Sequence, residues 1–482
     1  MLLRFVFLFA CLLLGAHDGF AATKKRSAKS NSDSAPLGAP NFIVINIDDM
    51  GYADIGPFGS TLNRTPNLNR MAQEGMKLTC HYAAPVCSPS RASLMTGCYP
   101  KRVLPIPHVL FPGSAVGLNP EERTVAEVLK DAGYTTACIG KWHLGDQPEF
   151  LPTRQGFDYY YGIPYSNDMG PGQDGSKSSL GDRLPVRKAD AKTAIEETGI
   201  RGEQPPLPLL RNEQVIARVR AQEQTELVAR YTDEAVKFIT ENKAKRFFLY
   251  LPHNAVHFPI YPGKNFQGKS KNGNYGDWVE EVDWSVGKVF GALREQGLDA
   301  KTFVLFTSDN GGTPRAVNAP LRGFKTTTWE GGMRVPTIAW WPGKIAAGST
   351  CNTITSMADV LPTLAKLGGG KLPANKIDGH DLWPLLSGQT KQTPWDVFYF
   401  YRGLALEAVR QGPWKLHLAK TELYNLDTDI GEKTNLAKDK PDIVAQLQAL
   451  AEQTKDDLGK DGIGPGCRPL GKVQNPQPLI GK

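Results

Sequence analysis

The chain has 482 residues, 40% hydrophobic and 22% charged, as in an ordinary soluble globular protein. That length fits one large α/β domain with a smaller one, or two or three ordinary domains; 49 glycines and 36 prolines favour structured loops over a helical bundle. A formal charge of +7 is too weak to argue for nucleic acid, though it leaves room for a mildly basic cleft that takes an anionic substrate.

Residues 1–22 read as a secretory signal peptide. Arg4 precedes an apolar run from Phe5 to Ala16, too short to span a bilayer, and "GFAA" supplies small residues for cleavage. The expectation is a secreted or periplasmic protein with no stable membrane insertion; an uncleaved anchor is the alternative. Residues 23–38 read as a disordered lead-in, where Lys24, Lys25, Arg26 and Lys29 outweigh Asp33. A main domain is expected over 39–390 and a C-terminal subdomain over 391–482.

The strand "NFIVINI" ends in Asp48 and Asp49, and "TPNLNRMAQEGMKLT" reads as helix then strand. Thr124 can cap a helix running to Ala132, Gly133 stops it, and "TTACIG" is a parallel-type strand. "KRFFLYLPH" and "TFVLFTSDNGG" repeat the order of apolar strand and polar tip. This predicts an α/β fold with a mostly parallel sheet flanked by helices. Residues 167–222 show no clear strand, and an insertion that long is normally functional or disordered. From about Gln392, three strand-like runs with tight turns and the helix "PDIVAQLQALAEQTKDDLG" predict a small antiparallel sheet plus helix.

Asp48 with Asp49, and Asp309 with Asn310, place hard oxygen donors at two strand ends. That donor set suits Ca²⁺ or Mg²⁺, with Gly311 and Gly312 allowing a sharp turn beside the ion. Either pair alone reads more readily as turn-forming residues, and it is the two together, near the other motifs, that favour a metal. Lys141 and His143 lie two apart after a strand, so extended backbone would point both the same way. With Arg91, His253, His257 and Lys325 they make a set of cations and imidazoles. Beside a divalent ion such groups would bind a tetrahedral oxyanion and move protons. Any one of them in isolation is more often structural or solvated. Six cysteines remain once Cys11 leaves with the signal, and some of them could pair in an exported protein. No CxxC or Cys/His spacing suggests zinc.

"CSPSR", with Cys87, Pro89 and Arg91, followed by "ASLMTG", resembles the signature of type I, formylglycine-dependent sulfatases of the arylsulfatase A-like group. "GKWHLG" resembles their second signature, "IDDMG" and "SDNGG" their calcium ligands, and "GFKTTTWEGGMRVP" their sulfate-binding lysine segment. The resemblance, which runs from about Pro40 to Ala437, implies an alkaline-phosphatase-like fold and hydrolysis of sulfate esters. The substrate would be a sulfated carbohydrate or small sulfate ester, with aryl sulfates as surrogates. It implies that a formylglycine-generating enzyme converts Cys87 to Cα-formylglycine, whose hydrate attacks sulfur and can expel sulfate by collapsing back to the aldehyde.

By the same resemblance Asp48, Asp49, Asp309, Asn310 and the converted Cys87 would hold Ca²⁺. Arg91 would orient the hydrate, and His143 would accept its second proton. Lys141 and Lys325 would neutralise sulfate oxygens, Ser166 would contact them, and His257 would protonate the leaving alcohol. His253 has no counterpart. The stretch 173–222 matches no relative clearly, which leaves the sugar open. Two competitors share the scaffold: a phosphate or phosphonate ester hydrolase, and a non-catalytic glycan-binding protein.

Overall fold

The structure is a computed structural model that describes residues 38–185 and 194–481. The signal segment 1–22 and the lead-in up to residue 37 lie outside the described residues.

An 11-stranded sheet organises the main body. Strand β1 (Asn41–Ile47) sits near its centre, paired in parallel with both Phe247–Pro252 and Thr302–Ser308. Being covered on both faces, it has no polar side to show. Phe42 and Val44 enter one core, while Ile43, Ile45 and Ile47 enter the other. Parallel pairing continues through Thr135–Ile139 to Tyr159–Gly162. On the other side the sheet turns antiparallel, through Arg334–Trp340 to Met76–Tyr82.

Helix α1 spans Pro66–Glu74, and α2 spans Cys87–Thr96. Every residue of α2 is buried, so its sequence lacks an amphipathic stripe. Its polar side chains are paired internally. Ser90 Oγ accepts from the Ala84 amide, Ser88 Oγ from the Leu110 amide, and Thr96 Oγ1 donates to the Ala92 carbonyl. Pro89 falls in the first turn, where its missing N–H costs nothing. Gly97, at φ 71°, closes the helix. Helix α3 (Val125–Asp131) starts as its sequence predicts, with Thr124 and Glu127 forming a capping box, and Gly133 stands beyond its end at φ 87°.

The structure differs from the expectation over 167–222. Leu207–Arg211 and Gln214–Val219 form a hairpin that extends the sheet antiparallel from Tyr159–Gly162, and a two-stranded ribbon pairs Ala194–Glu196 with Gly199–Arg201. Pro208 within "LPLL" reads against a strand, and the turn carries no glycine. Asn212 supplies the left-handed residue instead, at φ 55°.

Four antiparallel strands, Val397–Arg402, Ala405–Gln411, Trp414–His417 and Glu422–Asn425, form the small C-terminal sheet. The helix Pro441–Gln453 packs its Val444, Leu447 and Ala451 into the same core as Phe398, Phe400 and Leu416. All six described cysteines are free thiols, so no disulfide contributes to stability among the described residues.

Candidate active site

The C-terminal ends of the parallel strands converge on one buried constellation. Asp48 and Asp49 follow β1, and Asp49 adopts φ 62°, which turns consecutive carboxylates in different directions. The adjoining Ala255–His257 loop is bonded to that tip: the Asp48 amide donates to the Ala255 carbonyl at 2.9 Å, and the Val256 amide donates to the Asp48 carbonyl at 2.7 Å. Asp309 and Asn310 follow the neighbouring strand. The Asp49 amide donates to Asp309 Oδ1 at 3.4 Å, and Asn310 Nδ2 donates to Asp49 Oδ1 at 2.8 Å.

Neither Gly311 nor Gly312 has positive φ. They are required by close approach. A Cβ on Gly311 would lie 1.9 Å from the Gly331 carbonyl oxygen, and one on Gly312 would lie 2.3 Å from Ala316 Cβ.

Cys87 opens helix α2 against these carboxylates. Its thiol donates to Asp48 Oδ1 at 3.3 Å and accepts from Lys325 Nζ at 3.4 Å. Burial, then the charges of Asp309 and Asp48, push the thiol well above its ordinary range. One turn on, Arg91 is fully buried. Its Nε and Nη2 hold Asp309 Oδ2 at 2.9 and 2.8 Å, and Nη1 donates to the Lys141 carbonyl at 2.6 Å.

Lys141 is ion-paired to Asp48 Oδ2 and donates to Ser166 Oγ at 3.1 Å. Burial alone would raise the Asp48 carboxyl, but Lys141, His257, Arg91 and Lys325 hold it far below the carboxylate range. Lys325 Nζ reaches Asp49 Oδ1 at 2.6 Å. His257 donates from Nδ1 to the Phe258 carbonyl at 2.5 Å, which leaves Nε2 free to face Asp49 Oδ2 at 3.7 Å. Ser166 Oγ lies 3.3–3.4 Å from the His257 ring nitrogens.

Asp48, Asp49, Cys87, Arg91, Lys141, Ser166, His257, Asp309, Asn310 and Lys325 are thus one contact network. His143 borders it by a route its spacing does not suggest. It sits at φ 64° rather than in extended backbone, so it does not follow Lys141. Its Nε2 faces the Leu110 carbonyl at 2.9 Å, and its Nδ1 is buried without a partner. Burial, then Lys141 and Arg91, hold it neutral, far below the usual histidine range. The Leu110 carbonyl that orients it had no sequence signal, being main chain. His253 lies away from the network: it is buried against Ser285 Oγ at 3.1 Å and packs near Tyr231.

The donor set fits a hard divalent cation. Asn310 Oδ1 is buried and unpartnered, and ligand atoms of Asp48, Asp49, Cys87 and His257 lie within 4.8 Å of one another. Three carboxylates facing Arg91, Lys141 and Lys325 make a site of balanced charge, and a divalent ion would release the lysines towards an anion. Exposure gives the direction of entry. The side chains of Lys325 and His257 are 15% and 11% exposed, whereas those of Asp48, Arg91 and Lys141 are at 0%.

A mixed, mostly parallel central sheet that gathers carboxylates and cations at its strand ends is an α/β fold of the alkaline-phosphatase-like kind. The chain belongs to the sulfatase family, whose model matches residues 40–370, and it is therefore a sulfuric ester hydrolase. A second model, of the N-sulphoglucosamine sulphohydrolase C-terminal region, matches residues 324–457. The chain is 40% identical to arylsulfatase A of Homo sapiens over 404 residues, covering 81% of this chain and 76% of that protein. It is equally 40% identical over 402 residues to N-acetylgalactosamine-6-sulfatase of Rattus norvegicus, covering 79% and 71%. The crystal structure of Ps i-CgsB in complex with k-i-k-neocarrahexaose superposes with TM-score 0.71 at 30% identity, covering 86% of this chain and 92% of that one. Among the described residues, no helix is long and apolar enough to cross a membrane.

Proposed function

We propose that the protein is a calcium-dependent sulfatase in which Cys87, converted to Cα-formylglycine, supplies the nucleophile for desulfation of a sulfated sugar or glycan. The observation that carries this reading is the placement of residue 87 between Asp48 and Lys325, at the one point where carboxylates, lysines and the exposed edge of His257 meet. Asp48, Asp49, Asp309 and Asn310 would hold Ca²⁺, with residue 87 beside it. Calcium would supply fixed positive charge that offsets the carboxylates and acidifies a nearby hydroxyl; formylglycine would supply oxygen in place of sulfur as the attacking atom.

The remaining roles belong to the chain's own side chains. Arg91, locked to Asp309, fixes the first turn of α2 and so the orientation of residue 87. Lys141, Lys325 and Ser166 neutralise and orient the sulfate oxygens. His143, neutral and with a vacant Nδ1, is suited to accept a proton as sulfate departs. His257, at the entrance, protonates the leaving oxygen. Glycan specificity is supported by the sugar named for the N-acetylgalactosamine-6-sulfatase and by the k-i-k-neocarrahexaose in the Ps i-CgsB complex. Secretion or periplasmic location, and maturation by a formylglycine-generating enzyme, belong to the same reading.

The direct test is a panel of sulfated mono- and oligosaccharides beside one aryl sulfate and the matching aryl phosphate. Desulfation of at least one sugar, with sulfate preferred over phosphate, is expected. A preference for the phosphate ester by more than about tenfold, or 1.4 kcal/mol in transition-state binding, would overturn the assignment.

His257 has its own signature. A phenol with electron-withdrawing groups leaves as an anion unaided, whereas a sugar hydroxyl needs a proton. His257→Gln should therefore cost about 10²–10⁴-fold in kcat on a sugar sulfate and far less on an activated aryl sulfate. Equal losses on both, measured by steady-state kinetics, would remove the acid role.

A further inference from the structure

We infer that Lys415 and Glu432, buried in the C-terminal part of the chain, are positioning residues that clamp the loop carrying Lys325 against the nucleophile; this rests on the sulfate-binding role proposed for Lys325. The loop from Arg322 to Glu330 is fastened at both ends and in the middle. Its middle is tied to the active site: the Lys325 amide donates to the Gly312 carbonyl at 3.0 Å, and the Thr326 amide donates to the Pro85 carbonyl at 2.8 Å, two residues before Cys87. Thr326 pays for that path in strain, since it is β-branched and sits at φ 75°. Such a conformation persists only when its surroundings over-determine it.

The C-terminal residues supply that determination. Lys415 is fully buried; its ammonium donates to the Thr328 carbonyl and to Glu330 Oε1, both at 2.8 Å, and is ion-paired with Glu432 Oε1 at 3.0 Å. Glu432 Oε2 accepts from the Glu330 amide at 2.8 Å, and its carbonyl accepts from Arg322 Nη1 at 2.8 Å. One residue pair thus bonds the first residue of the loop, its Thr328 carbonyl and its last residue. Trp329 completes the joint, with its ring against that of His417 at 3.8 Å and the Arg322 guanidinium 3.7 Å from its centroid. None of these groups touches the catalytic constellation, yet together they fix both sides of Lys325. Buried, fully paired polar networks are the usual means of holding a functional side chain in one geometry.

The test is the affinity for inorganic sulfate, measured by titration calorimetry on matured protein with calcium present, in Lys415→Met, Glu432→Gln, Lys325→Ala and the Lys415→Met/Lys325→Ala double variant. Lys415→Met is expected to weaken sulfate binding about tenfold, the scale on which misplacing a positioned group by a fraction of an ångström is felt. Glu432→Gln, which keeps the shape but turns one of two acceptor oxygens into a donor, so that either the Glu330 amide or Lys415 loses its partner, should weaken it less and in the same direction. In the Lys325→Ala background the Lys415→Met effect should vanish, because a positioning residue has nothing left to position. Wild-type sulfate affinity in a cooperatively melting Lys415→Met, or an undiminished effect in the double variant, would overturn the clamp. If Lys415→Met does not fold, Glu432→Gln decides on the same readout. Wild-type affinity in Lys325→Ala would instead remove the sulfate-binding role of Lys325, and the clamp with it, so the two failures are told apart.

Discussion

Replacing Cys87 with alanine should abolish sulfatase turnover, by at least about 10⁴-fold in kcat/KM, as removal of a nucleophile does elsewhere. Stability should change little. The side chain is small, and its thiol makes only long contacts, 3.3 Å to Asp48 Oδ1 and 3.4 Å from Lys325 Nζ. The paired charges around it stay paired, since Lys141 still meets Asp48, Lys325 still meets Asp49 and Arg91 still meets Asp309. Mass analysis of the active wild-type protein carries the decisive arm. The peptide holding residue 87 should have lost its sulfur and gained an aldehyde oxygen, and turnover should scale with the converted fraction across preparations made with and without a converting enzyme. A fully active preparation with an intact Cys87 thiol would remove the formylglycine reading.

The sheet was legible because a parallel strand buried on both faces is apolar along most of its length, as the runs "FIVI" and "FVLF" within "NFIVINI" and "TFVLFTS" are. Its polar tips were legible for the same reason, since Asp48, Asp49, Asp309 and Asn310 interrupt that apolarity abruptly. The hairpin at Leu207–Val219 was not legible, because a proline inside a strand and a turn built on Asn212 both contradict the usual local signals. His143 shows a second limit. Residues two apart align only in extended backbone, and a left-handed residue at 143 breaks that rule. The Lys325 loop shows a third. Lys415 and Glu432 lie about a hundred residues beyond the lysine they hold, in a segment whose local pattern records only strand and turn. No local pattern encodes a bond from a C-terminal lysine to the Thr328 carbonyl.

Asn310→Ala should weaken calcium binding and remove most activity while leaving the fold intact, and it is a sharper probe of the metal site than Asp309→Ala. Asp309 is the principal partner of a fully buried guanidinium, with Arg91 Nη2 at 2.8 Å and only a 3.6 Å contact from that nitrogen to Asp48. Truncating it strands a buried charge, at a cost of roughly 3–5 kcal/mol, so lost activity in that variant would not separate a missing ligand from a damaged fold. Asn310 offers an oxygen that no protein group uses, while its amide nitrogen donates to Asp49 and to the Gly311 carbonyl. Its truncation therefore removes a ligand at the cost of one hydrogen bond to a carboxylate, roughly 1.5–3 kcal/mol, and one to a neutral carbonyl, about 1 kcal/mol, without stranding a charge. In the wild type, chelator dialysis should cut kcat/KM by more than about 10²-fold. Returning calcium should restore turnover and raise Tm, because an ion bound only by the folded state adds its binding free energy to stability. Asn310→Ala should melt near the chelated wild type and need far more calcium to gain either Tm or activity. Equal calcium-induced rises in Tm for variant and wild type would remove Asn310 from the ligand set; full activity of the chelated wild type would remove the ion from the reaction.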